Sequence, residues 1–165
     1  MRLGLGYDIH PVVKGRPLIL GGVRVPYEQG LSGDSDADVL THAIIDAILG
    51  AAGDGDIGDF FGVGDPRLVG ISSLSLLEEL WEAMEKKGMV ILNVDSTVIA
   101  QEPPLSPYKA EMKRNIGRVL RVEESRVNIK ATTPKGLGIL GRKKAISAQA
   151  IVAALVRSPL MSPPN

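Results

Sequence analysis

AISAQAIVAALVR (residues 145–157) is the stretch on which the fold of this chain turns. Its alanines favour a helix. Its length and its run of small, apolar side chains equally suit a strand covered on both faces. By itself the stretch leaves both open, and its surroundings set the class. Upstream, RVNIKATT reads as a strand, with the loop KGLGILGRKK between the two. SPYKAEMKRNIGRVLRV is an amphipathic helix opened by Ser-Pro. VILNVDSTVIAQ is a mostly alternating strand, and SSLSLLEELWEAMEKKG is a helix with a Ser start and a Lys-Lys-Gly stop. At the N-terminus Leu3, Leu5, Tyr7 and Ile9 alternate with Arg2, Gly4, Gly6 and Asp8, which is strand periodicity. PLILGG and VRVP form a hairpin about Gly21 and Gly22, and YEQGLSGDSD is a loop. Ser35 is the expected N-cap of a helix over 36–52, with Asp36 and Asp38 in its first turn. GDGDIGDFFGVGDP is a Gly/Asp loop. Strands and helices interleave, so the class is α/β or α+β.

The 165 residues suit one domain, here 1–157, followed by a Pro/Ser-rich tail over 158–165 that is expected to fray. Hydrophobic content of 44% and charged content of 23% are ordinary for a globular chain. A formal net charge of zero points away from nucleic acid and acidic membranes. Aromatic content of 4% leaves few platforms for stacking bases. No apolar run is long enough to span a bilayer, and the N-terminus has no signal-peptide core, so a cytoplasmic protein is expected. With no Cys, a metal would be held by His, carboxylates, backbone carbonyls or water.

The chain has two histidines, and both lie beside carboxylates. In GYDIHP, Asp8 and His10 are two apart on a strand and share a face. His42 lies on the helix LTHAIIDAI. Asp8, His10 and His42 make a three-ligand set that suits a catalytic zinc with an open position, or Mn²⁺ or Co²⁺. Asp46, four residues on, would hold the second ring nitrogen of His42, with Asp38 competing for that role. Two loops add phosphate chemistry. GDGDIGDFFGVGD offers backbone N–H groups and carboxylates, suited to sugar-like hydroxyls or a bridging divalent ion. KATTPKGLGILGRKK offers Thr hydroxyls, glycines and Arg142, Lys143 and Lys144, suited to a diphosphate. The Walker pattern GxxxxGK[ST] is absent. Together these features suggest phosphoryl chemistry on a small polyol phosphate.

GYDIHP, LGGVRVPYEQGLSGDSDADVLTHAIIDAILGAAGDGDIGDFF, VDSTVIAQEPPLSPY and VNIKATTPKGLGILGR closely resemble the 2-C-methyl-D-erythritol 2,4-cyclodiphosphate synthase family, over residues 1 to about 157. The resemblance implies an α+β single-domain subunit, a sheet with helices packed on one face, and a homotrimer in which three sheets pack about the axis. It favours the strand reading of residues 145–157. Active sites would lie between neighbouring subunits. The implied reaction is cyclisation of 4-diphosphocytidyl-2-C-methyl-D-erythritol 2-phosphate with release of CMP, in the non-mevalonate isoprenoid route. By position, Asp8, His10 and His42 match ligands of Zn²⁺ (or Mn²⁺), and Mg²⁺ or Mn²⁺ would bridge the substrate diphosphate. Asp34 and Thr133 match catalytic positions. Ser35 belongs to the loop over the substrate, Asp56 and Gly58 match methylerythritol contacts, and Asp65 is a further substrate contact. Ala100, Pro103, Pro104, Leu105, Ser106 and Ala131 match the cytosine pocket, and Thr132 and Thr133 match phosphate and cytidine contacts. Arg142 matches a basic residue near the axis, where an isoprenoid diphosphate would bind.

The chain departs from the family pattern at several places. Asp34 stands where a His is usual, Val63 for an Asp, Pro104 for a Lys, and Lys135 and Lys144 each for a Glu. A carboxylate at 34 accepts but does not donate hydrogen bonds. Lys135 in place of a Mg²⁺-holding Glu implies an altered Mg²⁺ dependence. Two other functions compete: a metal-dependent phosphohydrolase, and a trimeric module that binds an isoprenoid diphosphate.

Overall fold

The computed structural model describes residues 1–156, so Arg157 and the tail over 158–165 lie outside the described residues. Strand β1 (Arg2–Lys14) leads into a short hairpin of β2 (Leu18–Leu20) and β3 (Val23–Val25), then β4 (Gln29–Leu31). Helices α1 (Val39–Ala52), α2 (Ile57–Phe61) and α3 (Ser73–Lys86) follow. The chain continues through β5 (Met89–Ile99), α4 (Lys109–Val119), β6 (Val127–Thr132), α5 (Gly138–Gly141) and β7 (Ala145–Val156). Five strands form one mixed sheet in the order β4-β1-β7-β5-β6. The strands pair antiparallel except for β5 with β6. This is an α+β arrangement.

The stretch that opened the reading is a strand, and it is the central one. Ala148, Ala150, Val152 and Ala154 of β7 are buried on one face, while Gln149, Ile151 and Leu155 are exposed on the other. Strand β1 alternates in the same way, but with inverted polarity. Gly4 and Gly6 are buried, whereas Leu3, Leu5 and Tyr7 are 64%, 69% and 50% exposed. The glycine face lies under α1. A Cβ added to Gly4 would stand 1.9 Å from the Ala47 carbonyl oxygen, and one on Gly6 1.9 Å from that of Ala43. The small residues of β1 and β7 therefore let α1 lie almost backbone to backbone on the sheet. The core continues through Ile44, Ile48 and Leu49 of α1 to Leu77, Leu80 and Met84 of α3 and Ile116 of α4.

The observed elements differ from the sequence expectation in several places, the first being β4, which lies within the stretch YEQGLSGDSD expected as a loop and pairs with β1. Helix α1 begins at Val39, not at 36, and its N-cap is Asp38 rather than Ser35. The cause is local: Ala37 sits at φ 59°, a left-handed turn that breaks the helical path. Asp38 is fully buried, and its carboxylate accepts from the Thr41 amide (3.0 Å), the Thr41 hydroxyl (2.8 Å) and the Gly22 amide (2.7 Å). It thereby ties the β2–β3 hairpin to α1. The Gly/Asp loop contains a helical turn, α2, closed by a reciprocal capping box between Asp56 and Asp59. The loop before β7 contains one short helix, α5.

The close helix–strand contact is tested by two glycines. Gly6→Ala must push α1 off the sheet, and its urea midpoint is expected to fall by the equivalent of about 1–3 kcal/mol or more. Gly50→Ala is expected to raise the midpoint by the equivalent of about 0.5–1 kcal/mol. The added Cβ at Gly50 meets nothing closer than 3.6 Å, and helix propensity improves. Equal midpoints for the two variants would contradict the packing described.

Candidate metal centre and the second cleft

Strand β1 presents Asp8 and His10 on the face toward α1, and α1 brings His42 to meet them. Asp8 Oδ2 lies 2.9 Å from His10 Nε2 and 3.0 Å from His42 Nδ1, and the two ring nitrogens are 3.2 Å apart. The other side of each ligand is already engaged. Asp8 Oδ1 accepts from the Ile9 amide at 2.8 Å. His10 Nδ1–H donates to the Ser32 carbonyl at 2.5 Å, which leaves the Nε2 lone pair facing Asp8. On His42, Nε2 faces the hydroxyls of Ser73 (2.8 Å) and Ser35 (3.2 Å).

The electrostatics fit a cation. Burial alone would raise the Asp8 carboxyl, but His10 and His42 hold it well below the usual carboxylate range. Burial would lower His10, yet the Asp8 carboxylate raises it. A proton shared in this cluster does what a metal ion would do better. A tetrahedral centre with bonds of about 2.0–2.1 Å has ligand–ligand edges of about 3.3 Å. The observed triangle is close to one face of such a tetrahedron, so the donor set fits zinc-like coordination with one position left open.

The cleft around this triad has a volume of about 260 Å³, and Asp34, Ser35, Asp46 and Gly58 also line it. Val63 and Phe61 contribute to an apolar wall. Asp46 does not hold His42, as the four-residue spacing had suggested. Its Oδ1 accepts from the Ile57 amide at 2.9 Å and so anchors α2, and burial pushes its pKa up. Nor does Asp38 reach His42, because it caps α1. Asp34 is exposed, and its carbonyl accepts from the Gly70 amide at 2.7 Å. Asp56 and Asp65 do not line this cleft: Asp56 caps α2, and Asp65 is paired with Arg67 at 2.6 Å.

A second cleft, of about 460 Å³, is lined by Ala100, Pro103, Pro104, Leu105, Ser106, Ala131, Thr132 and Thr133, together with Gln101, Glu102, Lys109 and Lys135. Every residue matched to a cytosine or Thr contact therefore gathers in one place. The Gly136 amide donates to Gln101 Oε1 at 2.9 Å and ties its two loops together. No residue lines both this cleft and the metal cleft. Arg142 is exposed at the end of α5, beside Lys143, which is paired with Glu102 at 2.5 Å. Sequence reasoning missed Arg16, whose guanidinium donates to the carbonyls of Gly33 (2.5 Å) and Ser35 and braces the loop carrying Asp34. It also missed Ser73, beside His42, and Asp36, which accepts from Ser73. Their separations in sequence follow no period, so no spacing announced them.

Comparison with known proteins agrees with this geometry. The model of the YgbB family matches residues 1–155. The 2-C-methyl-D-erythritol 2,4-cyclodiphosphate synthase of Caldicellulosiruptor bescii is 55% identical over 151 residues, 92% of this chain and 96% of that protein. The synthase of Agathobacter rectalis is 56% identical over 151 residues, 92% of this chain and 85% of that protein. Among solved structures, IspF of Plasmodium falciparum in a CDP complex superposes with a TM-score of 0.82 at 36% identity, covering 95% of this chain and 97% of that one. The bifunctional IspDF of Campylobacter jejuni superposes with a TM-score of 0.91 at 38% identity, and 95% of this chain spans 42% of that longer one. The chain belongs to the YgbB family, the family of the 2-C-methyl-D-erythritol 2,4-cyclodiphosphate synthases.

Proposed function

We propose that the chain cyclises 4-diphosphocytidyl-2-C-methyl-D-erythritol 2-phosphate to 2-C-methyl-D-erythritol 2,4-cyclodiphosphate with release of CMP, as a lyase of isoprenoid biosynthesis. The convergence of Asp8 Oδ2, His10 Nε2 and His42 Nδ1 carries this reading. The relatives cited are named for the synthase, and neither the phosphohydrolase nor the binding-module reading is supported. In the reaction, the 2-phosphate oxygen forms a bond to the β-phosphorus. The bond from that phosphorus to the bridging oxygen breaks, and its electron pair leaves with CMP. The nucleophile is already an anion, so no side chain has to generate it. Catalysis reduces to folding the substrate, aligning attack with departure and offsetting charge.

Asp8, His10 and His42 would hold Zn²⁺ or Mn²⁺, which supplies Lewis-acid polarisation and orientation of the β-phosphate. Mg²⁺ or Mn²⁺ would accompany the substrate's diphosphate and offset its charge. Thr132 and Thr133 donate hydroxyl hydrogen bonds to phosphate, and Thr133 is the donor assigned to the transition state. Asp56, Gly58 and Asp65 are assigned to the methylerythritol side, and the 100–106 loop and Ala131 to cytosine. Ser35 and Asp34 belong to the covering loop. Asp34 accepts from substrate hydroxyls rather than donating to phosphate.

Because the two clefts share no lining residue, a substrate whose diphosphate sits at the metal and whose base sits in the second cleft would meet them on neighbouring subunits. A homotrimer supplies that neighbour. The exposed leucines and Tyr7 of β1, with Ile151 and Leu155 of β7, form the apolar sheet face that would pack about the axis. Arg142 would lie near one end of it and take an isoprenoid diphosphate. No helix of the described residues is long and apolar enough to cross a membrane. A biosynthetic enzyme of this kind is assigned to the cytoplasm.

Three experiments test this reading. Wild type is expected to release CMP with a cyclic product by phosphorus NMR. His42→Ala is expected to lose metal and at least about 10²-fold in turnover, on the scale of losing one essential electrostatic stabiliser. A linear diphosphate product would favour the phosphohydrolase. Sedimentation of wild type is expected to give a trimer and Leu5→Asp a smaller species, whereas a monomeric, active wild type would refute the shared site. Metal affinity also has a signed pH dependence. Asp8 favours the charged His10, so protons compete for the site. Chelator competition should find the tightest binding above the raised His10 pKa and about a tenfold loss per pH unit below it. Flat affinity across that range would argue against His10 as a ligand.

A further inference from the structure

The inner side of His42 carries a hydrogen-bond chain whose direction can be worked out atom by atom. Ser73 is fully buried, at the first turn of α3. Its hydroxyl donates to Asp36 Oδ1, and its amide donates to Asp36 Oδ2 at 3.0 Å. Asp36 also accepts from the Asp38 amide at 3.2 Å. An ionised carboxylate only accepts, so it takes the Ser73 proton in a charge-assisted bond. Ser73 Oγ is then left with lone pairs alone. It lies 2.8 Å from His42 Nε2, and the contact is a hydrogen bond only if Nε2 carries the hydrogen. Ser35 fits the same order. Its Oγ accepts from the Ala37 amide at 3.1 Å, and its proton can turn to Ser73 Oγ, 3.5 Å away. Every donor then meets an acceptor. The reverse order, with Nδ1 protonated, would set the bare Nε2 lone pair at 2.8 Å from the Ser73 oxygen, which has no proton to give, and leave it only the longer contact to the Ser35 hydroxyl at 3.2 Å.

We infer that Asp36 and Ser73 are positioning residues for the metal centre: a carboxylate–hydroxyl–imidazole chain that holds His42 in the Nε2–H form and turns its Nδ1 lone pair toward Asp8 and His10. The inference rests on the reading of the triad as a metal site. It assigns a function to two residues that touch neither the metal position nor the cleft lining. Outer partners of this kind fix ring orientation and tautomer, and their loss costs about 10–100-fold in metal affinity. The chain also links parts of the fold. Asp36 belongs to the loop that carries Asp34, and Ser73 begins α3. The Asp36 amide donates to the Ile71 carbonyl at 3.0 Å, which joins the same two segments by their backbones. The substrate loop and the metal ligand therefore share one support.

The test uses full-length protein and two readouts. ¹H–¹⁵N NMR of the Zn²⁺-loaded protein reads whether the His42 Nε2–H is held in a hydrogen bond, by its shift and its exchange with water. Titration of the metal-free protein with Co²⁺, followed by its visible absorption, reads affinity. Wild type is expected to show a slowly exchanging Nε2–H and to bind one Co²⁺ per chain. Ser73→Ala is expected to lose that slow exchange and to bind Co²⁺ about 10–100-fold more weakly. Ser73→Thr, which keeps the hydroxyl, should recover both. Asp36→Asn is the sharper variant and the fallback if Ser73→Ala does not fold. Its amide can donate to Ser73 Oγ, which frees the hydroxyl proton for His42 Nε2 and drives the ring hydrogen to Nδ1, where it blocks the ligand position. Wild-type Nε2–H exchange and Co²⁺ affinity in both Ser73→Ala and Asp36→Asn would overturn the inference and leave the metal centre standing. Failure of wild type to bind Co²⁺ would overturn the metal centre, and with it the role given to Asp36 and Ser73.

Discussion

The structure depends on how closely α1 lies on β1. A helix usually stands about 10 Å from a sheet because side chains fill the gap, much as they do between stacked sheets. Here Gly4 and Gly6 remove that layer, and the carbonyls of Ala43 and Ala47 occupy space that a Cβ would need. Two consequences follow. His42, one residue before Ala43, is lowered onto the strand until its ring nitrogen stands 3.0 Å from the Asp8 carboxylate. The large apolar residues of β1 are left on the opposite face. A single choice of residue size thus brings Asp8, His10 and His42 together on one side of the sheet and leaves an exposed apolar face on the other.

The same spacing explains the composition of β7. A strand beneath a closely packed helix must itself be small on that face, and Ala148, Ala150 and Ala154 meet the requirement. The helix-forming bias of alanine is overridden because pairing with β1 and β5 on both edges, and cover by α1 on one face, exceed a preference worth tenths of a kcal/mol per residue.

Much of this was legible in the sequence. The alternation of residues 2–9, the helical period of SLLEELWEAM and the Asp-x-His spacing each follow from local geometry. The structure places them as strand, helix and shared ligand face. The residues of the second cleft gather because they flank the ends of β5 and β6, which are paired in register from Val94 with Val127 to Ile99 with Thr132. What stayed hidden depends on contacts between distant segments. Asp46 has the right spacing to serve His42, but the Ile57 amide takes its carboxylate. Ser73 looks like an ordinary helix start until the fold sets its hydroxyl against a ring 31 residues away. Ser35 has the composition of a cap, yet Ala37 turns left-handed and passes that role to Asp38. Capping preference ranks candidates; the path of the chain chooses among them.

The strand order has a consequence for how the molecule is made. The middle strand of the sheet, β7, is the last to leave the ribosome, and it enters between β1 and β5, made more than 130 and about 50 residues earlier. Until it arrives, β1 and β5 have open edges facing each other across an empty lane. The two parts of the sheet, β4-β1 and β5-β6, can join only once β7 is made, so the order of strands calls for a late closure rather than growth strand by strand. A ribosome that stalls before β7 leaves a chain that holds Asp8, His10 and His42 without the strand that aligns the first two.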